Sequence, residues 1–366
     1  MKKVFSTLLT LAVLIGGLCF TSCEEKEPEG QLVVTASTNI FLADGNDEVV
    51  LTAKVGELDV TEKVSFYVNN TPMSSNVFTT KKAGDYKFFA SYNGQISNQL
   101  SVNAANPALY VKVPEDSQPD KFSDFNRNVL VAEGTGTWCG YCPYMIAALE
   151  LFSENGSNAD NAVIVATHSG DEFSNAASEA AVKAMSIAGF PTCVFNLNPE
   201  VVVENNYPEV NAENINATVG MELKEAASVG IATATAISAD GTIVGVRASV
   251  KVGKTGTYRI NAWLIEDGVS AYQSSAGVIN HMHILRGASC TSPIHGDLLG
   301  KKESCSAGDV VDFYYEFNTK EHKVANIKNC KVAVLVTAGP GASSKKFLVN
   351  NIVECAIGES VPFAYN

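Results

Sequence analysis

The sequence predicts a multidomain chain of 366 residues in which two β-sandwiches flank a central α/β domain. Three observations carry this reading. Residues 31–104 alternate apolar and polar side chains over short runs such as Glu48–Val55 and Lys63–Val68, broken by Gly, Asn and Asp, as half-buried strands do. An apolar strand, Val129-Leu130-Val131-Ala132, then runs into a helical pattern with Met145, Ala148, Leu149 and Phe152 spaced three and four apart. From about Gly230 short strands return, separated by turns such as Ala239-Asp240-Gly241, and about 135 residues of them make a second sandwich.

The chain opens with Lys2 and Lys3 before an apolar run from about Leu8 to Phe20, the layout of a signal peptide over residues 1–22. That run ends Phe20-Thr21-Ser22-Cys23, which resembles a bacterial lipobox, so Cys23 is the expected lipidation site and the link to a membrane. Glu24-Glu25-Lys26-Glu27-Pro28-Glu29-Gly30 completes a solvated tether over 23–30. Residues 31–104 resemble a small immunoglobulin-like spacer, and a linker over 105–121 carries Pro107, Pro114 and Pro119. The central domain is expected over 122–229, with strands at Ala162–Thr167 and Thr192–Leu197 and helices at Asn175–Ile187 and Ala212–Ala227; the last domain spans 230–366. The net charge of −13 becomes −15 once Lys2 and Lys3 leave with the signal peptide. An acidic chain with no basic cluster argues against nucleic-acid binding.

Chemistry concentrates at Trp138-Cys139-Gly140-Tyr141-Cys142-Pro143. A strand feeding Cys-x-x-Cys and then a helix puts the first sulfur at a helix N-terminus, where free N–H groups and the helix dipole favour a thiolate. Pro143 fits the first turn, which can do without its N–H. A structural zinc site needs four ligands, and neither a second Cys-x-x-Cys nor a His-x(3–5)-His completes one. Glu133, six residues before Cys139, lies where a semi-buried carboxylate could accept the second thiol's proton; the plain alternative is a solvated strand-end Glu. Phe190-Pro191-Thr192 enters a strand, so the X-Pro bond is a candidate cis peptide.

Together these residues resemble the thioredoxin superfamily over roughly Phe122 to Val229. The resemblance implies Cys139 as nucleophile, Cys142 as resolving thiol and Glu133 as buried proton acceptor. It further implies substrate contacts from Trp138, Phe190, the cis-proline Pro191 and Thr192. The Gly140-Tyr141 pair between the cysteines looks like that of periplasmic disulfide isomerases. The order of lipobox, spacer, α/β domain and second sandwich resembles a family of Bacteroidetes lipoproteins called outer membrane protein (28 kDa)-related. The supporting residues are Val129–Pro143, Val163–Phe173 and the stretch from Asn280 to Gly287. That resemblance implies an outer-membrane, cell-envelope location, periplasmic or surface-exposed.

Seven cysteines follow Cys23. Cys290, Cys305, Cys330 and Cys355 are candidate disulfide formers with three available pairings. A hairpin of Lys328–Gly339 with Phe347–Glu359 that sets Val332 against Val353 would place Cys330 opposite Cys355, leaving Cys290 with Cys305. Cys193 is expected to share the side of Pro191, either as a third thiol near the pair or as a buried small hydrophobe. His281 and His283 share one face of a strand and His295 follows a turn, yet no carboxylate or cysteine is fixed beside them by spacing, so no metal and no cofactor is expected. His168 and Asp171 sit where a central strand ends and could line the active-site rim or cap the next helix, with capping the expected role of Asp171. Two functions fit: a membrane-tethered thiol–disulfide oxidoreductase acting on a disulfide-bearing protein or peptide with an unnamed electron donor, and a surface interaction lipoprotein whose dithiol is a fixed structural disulfide.

Overall fold

The computed structural model describes residues 30–204, 207–339 and 347–366. The expected signal peptide, the lipidation site Cys23 and all of the tether but Gly30 lie outside them. Among the described residues no helix is long and apolar enough to cross a membrane.

Two sheets make the N-terminal unit. Leu32–Ala36 and Val49–Val55 pair in one, and Ser65–Val68, Gly84–Tyr92 and Leu100–Ala105 lie in the other. Alternate residues of both sheets (Val34, Leu51, Ala53, Phe66, Phe88 and Val102) meet in one buried core. The linker is held by chemistry rather than by regular structure. Lys251, whose side chain is buried, sends its ammonium to Asp116 Oδ2 at 2.6 Å and to the carbonyls of Gln118 and Pro119 at 2.9 Å. Tyr110 meets the Tyr314 ring at a tilt and lies beneath the Arg247 guanidinium.

The rest of the chain is organised by one nine-stranded sheet. We label β1 (Val129–Thr135), α1 (Cys142–Asn155), β2 (Ala162–His168), α2 (Ala176–Ala184), β3 (Thr192–Phe195), β4 (Asn198–Glu204) and α3 (Pro208–Glu222). There follow β5 (Val229–Ile237), β6 (Ile243–Val252), β7 (Tyr258–Glu266), β8 (Val269–Gln273), β9 (Gly277–His281) and β10 (Ile284–Ala288). The last are β11 (Val310–Asn318), β12 (Cys330–Ala338) and β13 (Leu348–Ala356). The strand order is β4-β3-β1-β2-β10-β7-β12-β13, with Asp297–Leu298 paired to β7. The β1–β2 pair is parallel, its crossover being α1, and β3 and β4 add antiparallel.

Successive residues of β1 face opposite layers. Val129 and Val131 pack with Met145, Leu149 and Phe152 of α1 and Ile215 of α3. Leu130 and Ala132 pack toward Ala177, Ala181 and Met185 of α2. Further along the sheet, β7 and β12 pack one face against the second sheet, β11-β6-β5 with Ser360–Val361. The two-sheet packing expected of residues 230–366 is therefore present, but one of its sheets is continuous with β1–β4. Strands buried on both faces read as unbroken apolar runs and do not announce their neighbours. Helix α3 starts at Pro208, earlier than its apolar spacing suggested, because proline is accommodated in the first turn.

The C-terminal disulfides expected from sequence do not form. Cys290, Cys305, Cys330 and Cys355 are free, and the hairpin register sets Val332, not Cys330, opposite Cys355. From Lys331 to Val336 the expected register is off by two residues, a slip that keeps those side chains on their predicted faces, so alternation alone could not detect it. Each thiol points instead at a backbone carbonyl: Cys290 to Pro293, Cys305 to Leu299, Cys330 to Asn326 and Cys355 to Glu359. Protein denatured without reductant should label at Cys193, Cys290, Cys305, Cys330 and Cys355, with Cys139 and Cys142 labelled only after reduction. Peptide mapping that finds any C-terminal pair blocked would contradict this thiol pattern.

Candidate active site

Strand β1 ends at Thr135, the chain turns through Gly136–Tyr141, and α1 begins at Cys142 with proline in its first turn. Cys139 and Cys142 are joined as a disulfide with Cα atoms 5.4 Å apart. The Cys142 N–H, one of the orphan donors of the helix start, points at Cys139 Sγ from 3.1 Å. Cys142 is fully buried and Cys139 is 4% exposed, whereas Trp138 and Tyr141 beside them are 53% and 65% exposed.

Trp138 is held by its indole N–H, which donates to the Ser169 carbonyl at 2.9 Å, and its ring meets Phe190 edge-on at 5.5 Å. The Phe190–Pro191 peptide is cis. Thr192 pairs with Gly134 across the sheet, which brings the Phe190-Pro191-Thr192 loop beside the turn that carries the cysteines.

Glu133 sits on the α1 face of β1, in register with Ala166 and Cys193, and is only 3% exposed. Its Oε1 has no hydrogen-bond partner among the described residues. Burial pushes this carboxyl up to about 8, and the nearby Thr135 hydroxyl offsets only part of that. Cys193 is fully buried; burial first, and then the Glu133 charge, raise its thiol well above the usual range. Of the two readings of Cys193, the structure places it in the apolar core with Val131 and Met145.

A cavity of about 540 Å³ opens beneath this face of the sheet, lined in part by Glu133, Thr135, His168, His281 and Met282. His281 is buried, and burial first, then the neighbouring His168, lower its ring to about 4. The strand alternation stops at His281, the end of β9, and His283 adopts a left-handed backbone just past it, yet both residues line this cavity. Among the described residues no three His, Cys, Asp or Glu side chains are grouped to hold a metal ion.

Asp171 corrects its expected role. Asn175 caps α2, accepting from the N–H groups of Ala177 and Ser178, while Asp171 accepts from the N–H of Thr137 at 2.8 Å and pairs with His168 Nδ1 at 2.6 Å. Burial would raise the Asp171 carboxyl, but His168 and the N–H groups of Thr137 and Phe173 outweigh it and hold it at about 2.

One contributor was not foreseen. The hairpin β8–β9 belongs to no larger sheet, and its tip reaches the cysteine turn. Gln273 Nε2 donates to the carbonyls of Cys139 at 2.8 Å and Gly136 at 3.2 Å, and the Ser274 N–H donates to the Thr137 carbonyl at 2.8 Å. A side chain on Gly140 would come within 3.1 Å of Ser275 Oγ, so the close approach suits glycine. The sequence signal was slight: a lone Gln on the inward side of an alternating pair of short strands.

The family model described as Outer membrane protein Omp28 matches residues 178–361, just over half of the chain. The match starts within α2 and so lies downstream of Cys139 and Cys142. The solved structure titled HBP35 of Porphyromonas gingivalis is 19% identical, covers 66% of this chain and 78% of its own, and superposes with a TM-score of 0.51, a likeness of fold. A domain of the outer membrane lipoprotein Omp28 from the same organism is 16% identical, covers 37% of this chain and 90% of its own, with a TM-score of 0.22. No curated protein matches the chain.

The Glu133 carboxyl makes stability depend on pH. Between about pH 4.5 and 8 the folded chain keeps a proton that the unfolded chain has released, so the stability tied to the neutral carboxyl is complete below that window and lost as pH rises through it. Glu133→Gln should match the parent near pH 5 and exceed it by about 3–5 kcal/mol at pH 8.5. Urea unfolding at the two pH values checks this, and a difference that stays constant with pH would refute it.

Proposed function

The chain belongs to the Outer membrane protein Omp28 family, and from that premise and the geometry at Cys139 we propose that it is a thiol–disulfide oxidoreductase of the cell envelope, tethered to the outer membrane by lipid on Cys23. The observation that carries the proposal is the Cys142 N–H aimed at Cys139 Sγ from the start of α1. A donor in that position, backed by the helix dipole, favours the thiolate that thiol exchange requires. The β1–α1–β2 crossover with antiparallel β3 and β4, and the Phe190-Pro191-Thr192 loop beside the cysteines, support reading residues 122–229 as thioredoxin-like.

The reaction runs in two exchanges. The Cys139 thiolate attacks one sulfur of a substrate disulfide; that S–S bond breaks, a mixed disulfide forms, and the released substrate thiolate takes a proton from water. Cys142 then loses its proton to Glu133 and attacks Cys139 Sγ. The mixed disulfide breaks, the second substrate thiolate leaves and is protonated, and the Cys139–Cys142 bond closes. Two electrons have passed from the dithiol to the substrate, which is reduced. Where a substrate thiol displaces Cys139 before Cys142 does, the outcome is isomerisation. An external dithiol restores the reduced pair.

Glu133 suits its part because it is buried, its ionised form (the minority near neutrality) is basic enough to take a thiol proton, and it opens to a cavity through which that proton can leave. Trp138, with half its surface exposed, and the Phe190-Pro191-Thr192 loop form the contact surface for a disulfide-bearing protein or peptide.

A second reading, a surface interaction lipoprotein with a fixed disulfide, draws on the near-complete burial of both cysteines. Potential separates the two. Titration of the pair against glutathione buffers should give about −270 to −120 mV, the range of exchange catalysts, whereas a pair still oxidised below about −300 mV is structural. Cys139→Ser should abolish reduction of insulin disulfides, and Cys142→Ser should accumulate the mixed disulfide. Activity retained by Cys139→Ser would overturn the proposal.

A further inference from the structure

The Cys139 carbonyl has an unusual difficulty. In a helix that began one turn earlier it would accept from the N–H four residues on, but that residue is Pro143, which has none. The remaining donor at helical spacing is the N–H of Cys142, three residues on. That N–H already points at Cys139 Sγ. Carbonyl and sulfur of one residue therefore compete for one donor. The competition is acute because Cys139 is buried, and a buried carbonyl left unpaired costs about 1–3 kcal/mol.

Gln273 resolves it from 134 positions along the chain, supplying Nε2 to the Cys139 carbonyl at 2.8 Å. The same nitrogen reaches the Gly136 carbonyl, and the next residue, Ser274, holds the Thr137 carbonyl through its N–H. Gln273 is fully buried, so this amide fastens the cysteine turn and does not sample solvent.

We propose that Gln273 is a positioning residue for the dithiol: by satisfying the Cys139 carbonyl it leaves the Cys142 N–H free for the Cys139 sulfur. The inference rests on the reading of Cys139 as the attacking thiol. It makes reactivity of a cysteine in the α/β half depend on a hairpin of the C-terminal half. Without the amide donor, the carbonyl takes the Cys142 N–H, the reduced sulfur loses a charge-assisted bond, and the thiolate becomes scarcer. Destabilising the thiolate destabilises the reduced pair, so the couple becomes more reducing.

The test uses the full chain in detergent, reduced, with iodoacetamide as the probe and mass spectrometry to read alkylation at Cys139 alone across pH. Gln273→Leu removes both donors. Gln273→Met keeps the length of the side chain with no donor and no charge, so it carries the test if the leucine variant does not fold. Ser275→Ala alters the hairpin tip without touching the carbonyl. The ionisable groups around the turn are Asp171 on the Thr137 N–H, His168 paired with Asp171, and Glu133 under α1, and all are common to every variant.

Either Gln273 variant should raise the pH midpoint of Cys139 alkylation by about one unit, a tenfold loss of thiolate below the midpoint, and a tenfold shift of the exchange equilibrium would move the potential by about 30 mV toward reducing. Ser275→Ala should leave both unchanged. Folded Gln273 variants with the parent midpoint would overturn this inference and leave the oxidoreductase reading intact. A parent midpoint at the ordinary thiol value of about 8.5 would overturn both.

Discussion

Strand β2 meets β10 through a single register pair, Ala166 against Ile284, and that seam ties the half of the chain carrying the cysteines to the half carrying the hairpin. The hydrogen bonds across it are few: the Ala166 N–H to the His283 carbonyl at 2.7 Å, and the Asn175 side chain to the Leu285 carbonyl at 2.7 Å. Burial does the rest. Helix α2 lies over the join, and its Ala177, Ala181 and Met185 share one apolar cluster with Leu130 and Val165 on one side and Trp263, Leu285 and Leu335 on the other. Because β9 runs almost directly into β10, fixing β10 beside β2 also fixes where β8–β9 projects. The contact between Gln273 and the cysteine turn follows from that seam.

Buried carboxamides recur wherever backbone from distant segments must be joined. Asn196 accepts the Leu130 N–H through its side chain and the Val349 N–H through its carbonyl. Asn351 donates to the carbonyls of Asn126 and Val229 and accepts from the Asn128 N–H. Gln273 does similar work at Gly136 and Cys139. A neutral amide can donate and accept without the desolvation cost of a buried ion, so it brackets two strands cheaply. Glu133 is the contrast, an ionisable group buried with one oxygen that has no hydrogen-bond partner among the described residues, and burial raises its carboxyl.

What could be read from the sequence was local. The helix start at Cys142, the loop at Phe190–Thr192 and a carboxyl at Glu133 follow from spacing within a segment, because turn chemistry and helical period act over a few residues. What escaped was pairing between distant segments. Alternation in β12 and β13 fixed faces but not register, which is how Cys330 came to be matched with Cys355. The continuous sheet escaped because Val163-Ile164-Val165 and Ile284-Leu285 name no partner. Gln273 escaped because its meaning lies wholly in what it touches.

The chain holds two tryptophans, and the fold has separated their surroundings completely. Trp263 is sealed in the cluster beneath α2, with no exposed surface, and Trp138 stands half in solvent beside Cys139. A disulfide quenches an adjacent indole, whereas a remote one in the core is indifferent to it. The protein therefore carries two intrinsic fluorophores in opposite surroundings: one stands beside the Cys139–Cys142 bond, where breaking that bond would change its emission, and the other reports on the integrity of the sheet.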